Sequence, residues 1–178
     1  MGARCEAAAI TLVRRKVRVR DLPRIARAVL EHVGATLAGS NRRMVGAGAV
    51  IRDPEGRLLV VHTGYRPGWG LPGGRIGRGE SLERGLAREV REETGYDVRV
   101  GPLLVVDASE TGKVVFVFGA EIVGGRPDPA PLEIRALRWA SADELAAVPE
   151  PDRTRLRVAL AAAGDGRVEY VAEPTIGR

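Results

Sequence analysis

The sequence predicts a mixed α/β single domain preceded by an N-terminal helical extension. Three observations predict it. The chain has 178 residues with 44% apolar composition, enough for one domain with a core of its own. From residue 44 onward, short β-rich runs alternate with Gly- and Pro-rich turns. Between and around them lie stretches whose apolar residues recur at helical spacing. We divide the chain into a basic extension with an amphipathic helix (1–43), a central domain (44–150), and a C-terminal helix and short strand packing on that domain (151–178).

In chain order, Asp21 to Ala38 carries Leu22, Ile25, Ala26, Val29, Leu30, Val33 and Leu37 at spacings of three and four, with Asp21 as N-cap. Gly39-Ser40-Asn41 ends that helix. Met44 to Arg52 and Arg57 to Thr63 are β-rich, and the turn Asp53-Pro54-Glu55-Gly56 between them predicts a hairpin. Gly64 to Gly79, with repeated Gly and two Pro, reads as one long loop. Ser81 to Thr94 is helical: Leu82, Leu86 and Val90 repeat every four residues, Ser81 caps, Glu83 suits the first turn and Gly95 stops it. Val98 to Val106 and Lys113 to Val123 read as strands, Gly124 to Pro131 as a loop, and Ile134 to Ala140 as a strand. Ser141 caps a short helix through Ala147, Asp152 to Ala163 is a second helix, and Arg167 to Ala172 is a last short strand.

A single cysteine, Cys5, excludes an internal disulfide and a multi-cysteine zinc site, and suits a reducing compartment. No apolar run reaches the roughly 18 residues a membrane span needs. The mildly apolar Glu6 to Val13 is followed, not preceded, by Arg14, Arg15 and Lys16, which is the wrong order for a secretory signal. Glu6 also stands where a myristoylation motif wants Ser or Thr. The expected location is cytoplasmic. The formal charge of +5 is unevenly placed: residues 1–43 hold ten Lys/Arg against three acids, +7, leaving −2 for the rest. A solvated basic face is the expectation, with nucleic-acid contact by this arm the alternative. No aromatic residue lies within 1–43 to supply the stacking that single-stranded nucleic acid binding uses.

The informative stretch is Gly74 to Tyr96, GRIGRGESLERGLAREVREETGY. On a helix Glu89, Glu92 and Glu93 fall within an arc of about 100°, beside the stripe of Leu82, Leu86 and Val90. Like charges at such spacings destabilise a helix by roughly 0.2–0.5 kcal/mol per pair, and a hard cation with oxygen ligands reverses that problem. Taken alone, the glutamates are better read as an exposed acidic face balanced by Arg84, Arg88 and Arg91. Their context changes that reading. Trp69-Gly70-Leu71-Pro72-Gly73-Gly74 precedes the helix. Gly74 and Glu80 are separated by five residues, and seven more lead to Arg88-Glu89-Val90-Arg91-Glu92-Glu93-Thr94-Gly95-Tyr96. The whole resembles the Nudix box, with Tyr96 where an aliphatic residue is more usual. The resemblance extends over about residues 44–150, through Leu137-Arg138-Trp139 and Ser141-Ala142-Asp143-Glu144-Leu145.

The resemblance implies the Nudix fold, an α/β/α sandwich around a mixed β-sheet, and Mg²⁺-dependent attack of water on a diphosphate linkage in a nucleotide-like small molecule, with Mn²⁺ as a substitute. It matches Glu89, Glu92 and Glu93 to metal-binding glutamates and Glu80 with Arg88 to a brace. It matches Gly73 and Gly74 to a tight turn facing metal or phosphates, and Gly95 to the helix stop. Glu133 is the candidate for a further metal-linked glutamate, ahead of Glu110 and Glu121. In the implied mechanism cations neutralise the diphosphate oxygens and lower the pKa of a water, and a carboxylate takes its proton, Glu89 by resemblance with a loop glutamate the alternative. Arg66 and Arg75, flanking the Gly-rich loop, are candidates for substrate charge, with ordinary surface arginines the alternative reading. His62 and Trp139 read as structural, and Trp69 as a plug of the loop against the core with base stacking the alternative.

Two other readings remain. An isopentenyl-diphosphate-type isomerase wants a catalytic cysteine, and Cys5 lies outside the resembling region. A non-catalytic nucleotide-binding regulator wants an added winged helix, and 28 residues after Glu150 are too few for one. The proline that ADP-ribose enzymes carry after the box is replaced by Gly112. Dimerisation is common in the family, so the helix at 21–38 would serve a homodimer or cap the sheet.

Overall fold

Alternate residues of two neighbouring strands enter two different cores, and that division organises the molecule. A computed structural model of the chain describes residues 11–12, 44–64, 68–108, 112–129, 133–141, 143–144, 152–165 and 168–172. Its strands are β1 (Thr11–Leu12), β2 (Met44–Ile51), β3 (Leu58–Thr63), β4 (Gly73–Arg75), β5 (Tyr96–Ala108), β6 (Lys113–Gly125), β7 (Ile134–Ala140) and β8 (Glu169–Ala172). Its helices are α1 (Leu82–Thr94) and α2 (Asp152–Asp165). Val50, Leu58 and Val60 join Leu104, Val105, Val117 and Leu156 of α2 in one cluster. Ala49, Ile51, Leu59 and Val61 join Leu86 and Val90 of α1 in the other. The strands are apolar on both faces because a helix covers each face, the pattern of an α/β/α sandwich.

One sheet has the order β4-β2-β6-β5-β8, with β2 parallel to β6 and β5 parallel to β8 and the remaining pairs antiparallel. The other is antiparallel, β1-β7-β3. The expected hairpin of 44–52 with 57–63 is corrected by this topology. The turn exists, closed by Gly56 N–H to Asp53 O and Asp53 N–H to Arg57 O, but β2 and β3 belong to different sheets and share only the Arg52–Leu58 bridge. Local turn chemistry was read correctly; the partners of the strands were not. The expected loop at 64–79 is corrected too, since Gly73–Arg75 pairs with Gly46–Gly48 and Gly70 bridges Val61. Gly124 and Gly125, expected in a loop, continue β6.

The helix expected at 21–38 lies outside the described residues, as does most of the short helix expected after Ser141. Thr11–Leu12, inside the expected basic extension, instead adds an edge strand to β7. No helix among the described residues is long and apolar enough to cross a membrane.

Candidate functional site

The candidate site is set by how α1 is rolled onto the sheet. Ser81 Oγ accepts from Arg84 N–H at 3.2 Å and starts the helix; Gly95, at φ 82° with its N–H on Arg91 O, ends it. Leu86 and Val90 are fully buried, which fixes the roll. The three acids therefore lie at the margin of the core. Glu93 is buried, Glu89 is 18% exposed at its side chain and Glu92 is 34% exposed.

The glycine turn closes over this face. Gly73 has φ 142°, and a Cβ there would stand 2.2 Å from Ala47 O. Its N–H donates to Glu93 Oε2 at 2.7 Å. Gly74 fails to admit a Cβ for a different reason: the position lies 2.5 Å from Glu89 Oε2. The backbone of β4 thus approaches two carboxylates as closely as only glycine permits.

Arg88 reaches across the helix. Its Nε and Nη2 bind Glu80 Oε1 and Oε2 at 2.9 and 3.0 Å, and Nη1 reaches Glu89 Oε1 at 2.8 Å and Glu92 Oε2 at 3.4 Å. The hydrogen bonds to Glu80 hold its pKa above the ordinary arginine value. Glu80 also accepts Gly77 N–H, which ties the loop to the helix. Burial raises the pKa of Glu89; Arg88 opposes that shift, and Glu92 and Glu133 add to it.

The structure thus brings Glu80, Arg88, Glu89, Glu92, Glu93, Gly73 and Gly74 close to one another, as the resemblance implied. Glu133 stands immediately before β7, where its carbonyl accepts from Gly64 N–H at 2.8 Å and its carboxylate is felt by Glu89. Glu121 pairs instead with Arg99 at an exposed position. Arg75 is exposed at the end of β4, and its carbonyl accepts from Arg88 at 3.3 Å. Arg66 lies outside the described residues. Trp69 packs on the α2-side core with His62 at its edge and Arg138 over its face, the arrangement of a plug. Sequence reasoning missed Arg138. The signal was there: an arginine inside the apolar run of β7, where a half-buried cation needs partners.

Among the described residues no three His, Cys, Asp or Glu side chains converge at ligating distance, since Arg88 stands between Glu89 and Glu92. The donor set nonetheless fits a hard divalent cation: every donor is a carboxylate oxygen, and Glu89 is a buried acid whose charge lacks full compensation. A side chain at Gly74 would fill the space that its carboxylate occupies.

Comparison with known proteins shows the family and the fold. The family described as NUDIX domain matches residues 42–162. A MutT-like protein of Streptomyces ambofaciens is 40% identical over 100 residues, which cover 56% of this chain and 64% of that protein. A putative 8-oxo-dGTP diphosphatase of Bacillus subtilis (strain 168) is 32% identical over 111 residues, covering 62% of this chain and 74% of that protein. Among solved structures, a UDP-X diphosphatase superposes with a TM-score of 0.64 at 21% identity, covering 85% of this chain and 83% of that one, which is a likeness of fold.

Proposed function

The chain belongs to the Nudix hydrolase family, and from that premise we propose that it hydrolyses a diphosphate linkage in a nucleoside triphosphate or a nucleoside diphosphate derivative, with Mg²⁺ as the working ion and Mn²⁺ as a substitute. One observation carries the reading: the turn Gly73–Gly74 lies directly on Glu93 and Glu89, so that backbone without side chains and two acids of the helix share one face. Glu89, Glu92 and Glu93, with Glu133 from the loop before β7, would hold the ion. Bound there, a divalent cation supplies positive charge to the diphosphate oxygens and acidifies the attacking water.

The chain's own residues do the rest. Glu89, whose pKa burial has raised, would take the proton from the water. Arg88 keeps Glu89 and Glu92 oriented through its fork on Glu80. The glycine turn would face the phosphates, Arg75 at the end of β4 would supply further positive charge, and Arg66, outside the described residues, is a candidate from the sequence for the same role. The names of the relatives favour an oxidised purine deoxynucleoside triphosphate as the first substrate to try.

The test is a product-resolved screen of 8-oxo-dGTP, ordinary nucleoside triphosphates, nucleotide sugars, ADP-ribose and dinucleoside polyphosphates, with Mg²⁺ and with Mn²⁺. Glu92→Gln and Glu93→Gln should each lose on the order of a hundredfold in kcat while the fold survives, because glutamine keeps the size of the acid and one acceptor oxygen but not its charge. Full activity in both variants sinks the assignment.

A further inference from the structure

Trp69 lies on the α2 side of the sheets, away from the stripe of α1, yet it is one residue from a segment fixed at every step. Gly70 exchanges both backbone hydrogen bonds with Val61, at 2.9 Å each. Pro72 O accepts from Ala49 N–H at 2.9 Å, and Gly73 N–H ends on Glu93 at 2.7 Å. Trp69 thus adjoins a segment tied at Gly70, Pro72 and Gly73, the last of them against a glutamate of the site.

Trp69 is gripped on two sides. The guanidinium carbon of Arg138 is 4.5 Å from the ring centroid, and His62 meets the ring edge-on at 5.6 Å and 70°. Arg138 comes from β7, opposite Val60 of β3. Its Nη1 is held by Glu144 Oε1 at 3.0 Å, and Glu144 Oε2 in turn accepts Ser141 N–H at 2.8 Å and Ser141 Oγ at 3.1 Å. Those two hydrogen bonds and then the charge of Arg138 keep the Glu144 carboxyl below the usual range, so it stays ionised as an anchor. Arg138 Nε is buried and has no hydrogen-bond partner among the described residues. A buried donor without a partner is costly, so the guanidinium is kept over the indole at the expense of its own hydrogen bonding.

We propose that Arg138 is a positioning residue for the hydrolytic site: anchored by Glu144 and laid on Trp69, it holds Trp69 to Gly73 in place and thereby seats the Glu93 carboxylate. Only its effect on turnover rests on the hydrolase reading; the mechanical coupling is independent of it. Lysine is a poor substitute, because a point charge lacks the planar face that covers the indole.

The test compares Arg138→Met, Arg138→Lys and Glu144→Gln with Val105→Ala, a cavity variant of the same core cluster on β5, outside the Trp69–Arg138–Glu144 chain of contacts. Amide hydrogen exchange at Gly70 and Gly73, Mn²⁺ affinity by electron paramagnetic resonance, and kcat and KM on the best nucleotide of the screen are measured on the whole chain. Arg138→Met should speed exchange at both glycines and weaken Mn²⁺ by about tenfold, with kcat down by a like factor and KM within about twofold. Arg138→Lys should recover only part of this. Val105→Ala should lower Tm and leave all four readouts near the parent. Exchange in Arg138→Met at the parent rate, or raised no more than in Val105→Ala, overturns the proposal. Raised exchange in a protein whose parent neither binds Mn²⁺ nor cleaves any nucleotide supports the coupling and removes the hydrolase reading instead. If Arg138→Met does not fold, Glu144→Gln loosens the anchor with the stack in place and is read the same way, at smaller amplitude.

Discussion

Gly73 and Gly74 are neighbours that exclude a methyl group for different reasons, so their alanine variants should fail differently. At Gly73 the obstacle is backbone, Ala47 O, combined with a positive φ, and neither can yield cheaply. Gly73→Ala should cost about 1–3 kcal/mol or more in urea unfolding and lower activity with it. At Gly74 the obstacle is the Glu89 carboxylate, which can move aside. Gly74→Ala should stay near parental stability and lose on the order of a hundredfold in kcat, as misplacing a reacting group by about an ångström does. Equal stability losses at both positions would contradict the geometry. Glu89 yields a pH prediction. Its pKa is raised, so between the ordinary glutamate value near about 4.3 and its own the folded chain holds more protons than the unfolded one. Stability accordingly falls as pH rises across that window. Metal-free Glu89→Gln should match or exceed the parent's Tm at neutral pH, with the difference gone below about pH 4; a less stable variant at neutral pH would mean that Arg88 outweighs burial. At this scale the acids were legible only through the box as a whole, since their spacing alone reads as an exposed acidic face. Arg138 was not, because its role depends on Trp69 and Glu144, far from it in the chain or on other elements.

Elements were legible where local chemistry decides them and obscure where partners do. Ser81, the four-residue repeat of Leu82, Leu86 and Val90, and Gly95 mark α1 to within a residue. β4 left no trace: Gly-Gly-Arg has no alternation, and only β2 alongside makes it a strand. β2 and β3 were wrongly joined because a good turn says nothing of which neighbour a strand prefers once two sheets compete for it. The link between α2 and β5 was hidden for a related reason. Asp107 interrupts an apolar run in β5, and Arg155 looks like one of several helix arginines, yet the two form an ion pair that is almost fully buried. Removing one partner of such a pair strands a charge in the core. Arg155→Met and Asp107→Asn should each lower unfolding free energy by about 3–5 kcal/mol, while the double variant should recover part of that loss. Additive losses in a double-mutant cycle would show that the two side chains do not act as a pair.

At the scale of the whole molecule, two cores share the same strands, and the candidate site lies at the margin of the one under α1. Acid crowding there is therefore a load on the entire fold rather than on a surface helix, because Glu89 and Glu93 are held at the core margin by Leu86 and Val90. Arg88 relieves part of it but is itself committed to Glu80. A divalent cation that binds the folded chain and not the unfolded one should relieve the remainder and stabilise the molecule cooperatively. At a hundredfold excess over Kd the linkage amounts to about 2.7 kcal/mol, which for a chain of this size is a rise in Tm on the order of 5–10 °C. The rise should appear with Mg²⁺ and with Mn²⁺, reverse with EDTA, and be absent in matched NaCl, which screens surface charge without entering the site. Glu92→Gln and Glu93→Gln should blunt it, and Arg155→Met, which is destabilised elsewhere, should show it in full. A parent whose Tm ignores both ions, or a Glu92→Gln/Glu93→Gln double variant that responds as the parent does, would place the cation somewhere other than among these carboxylates.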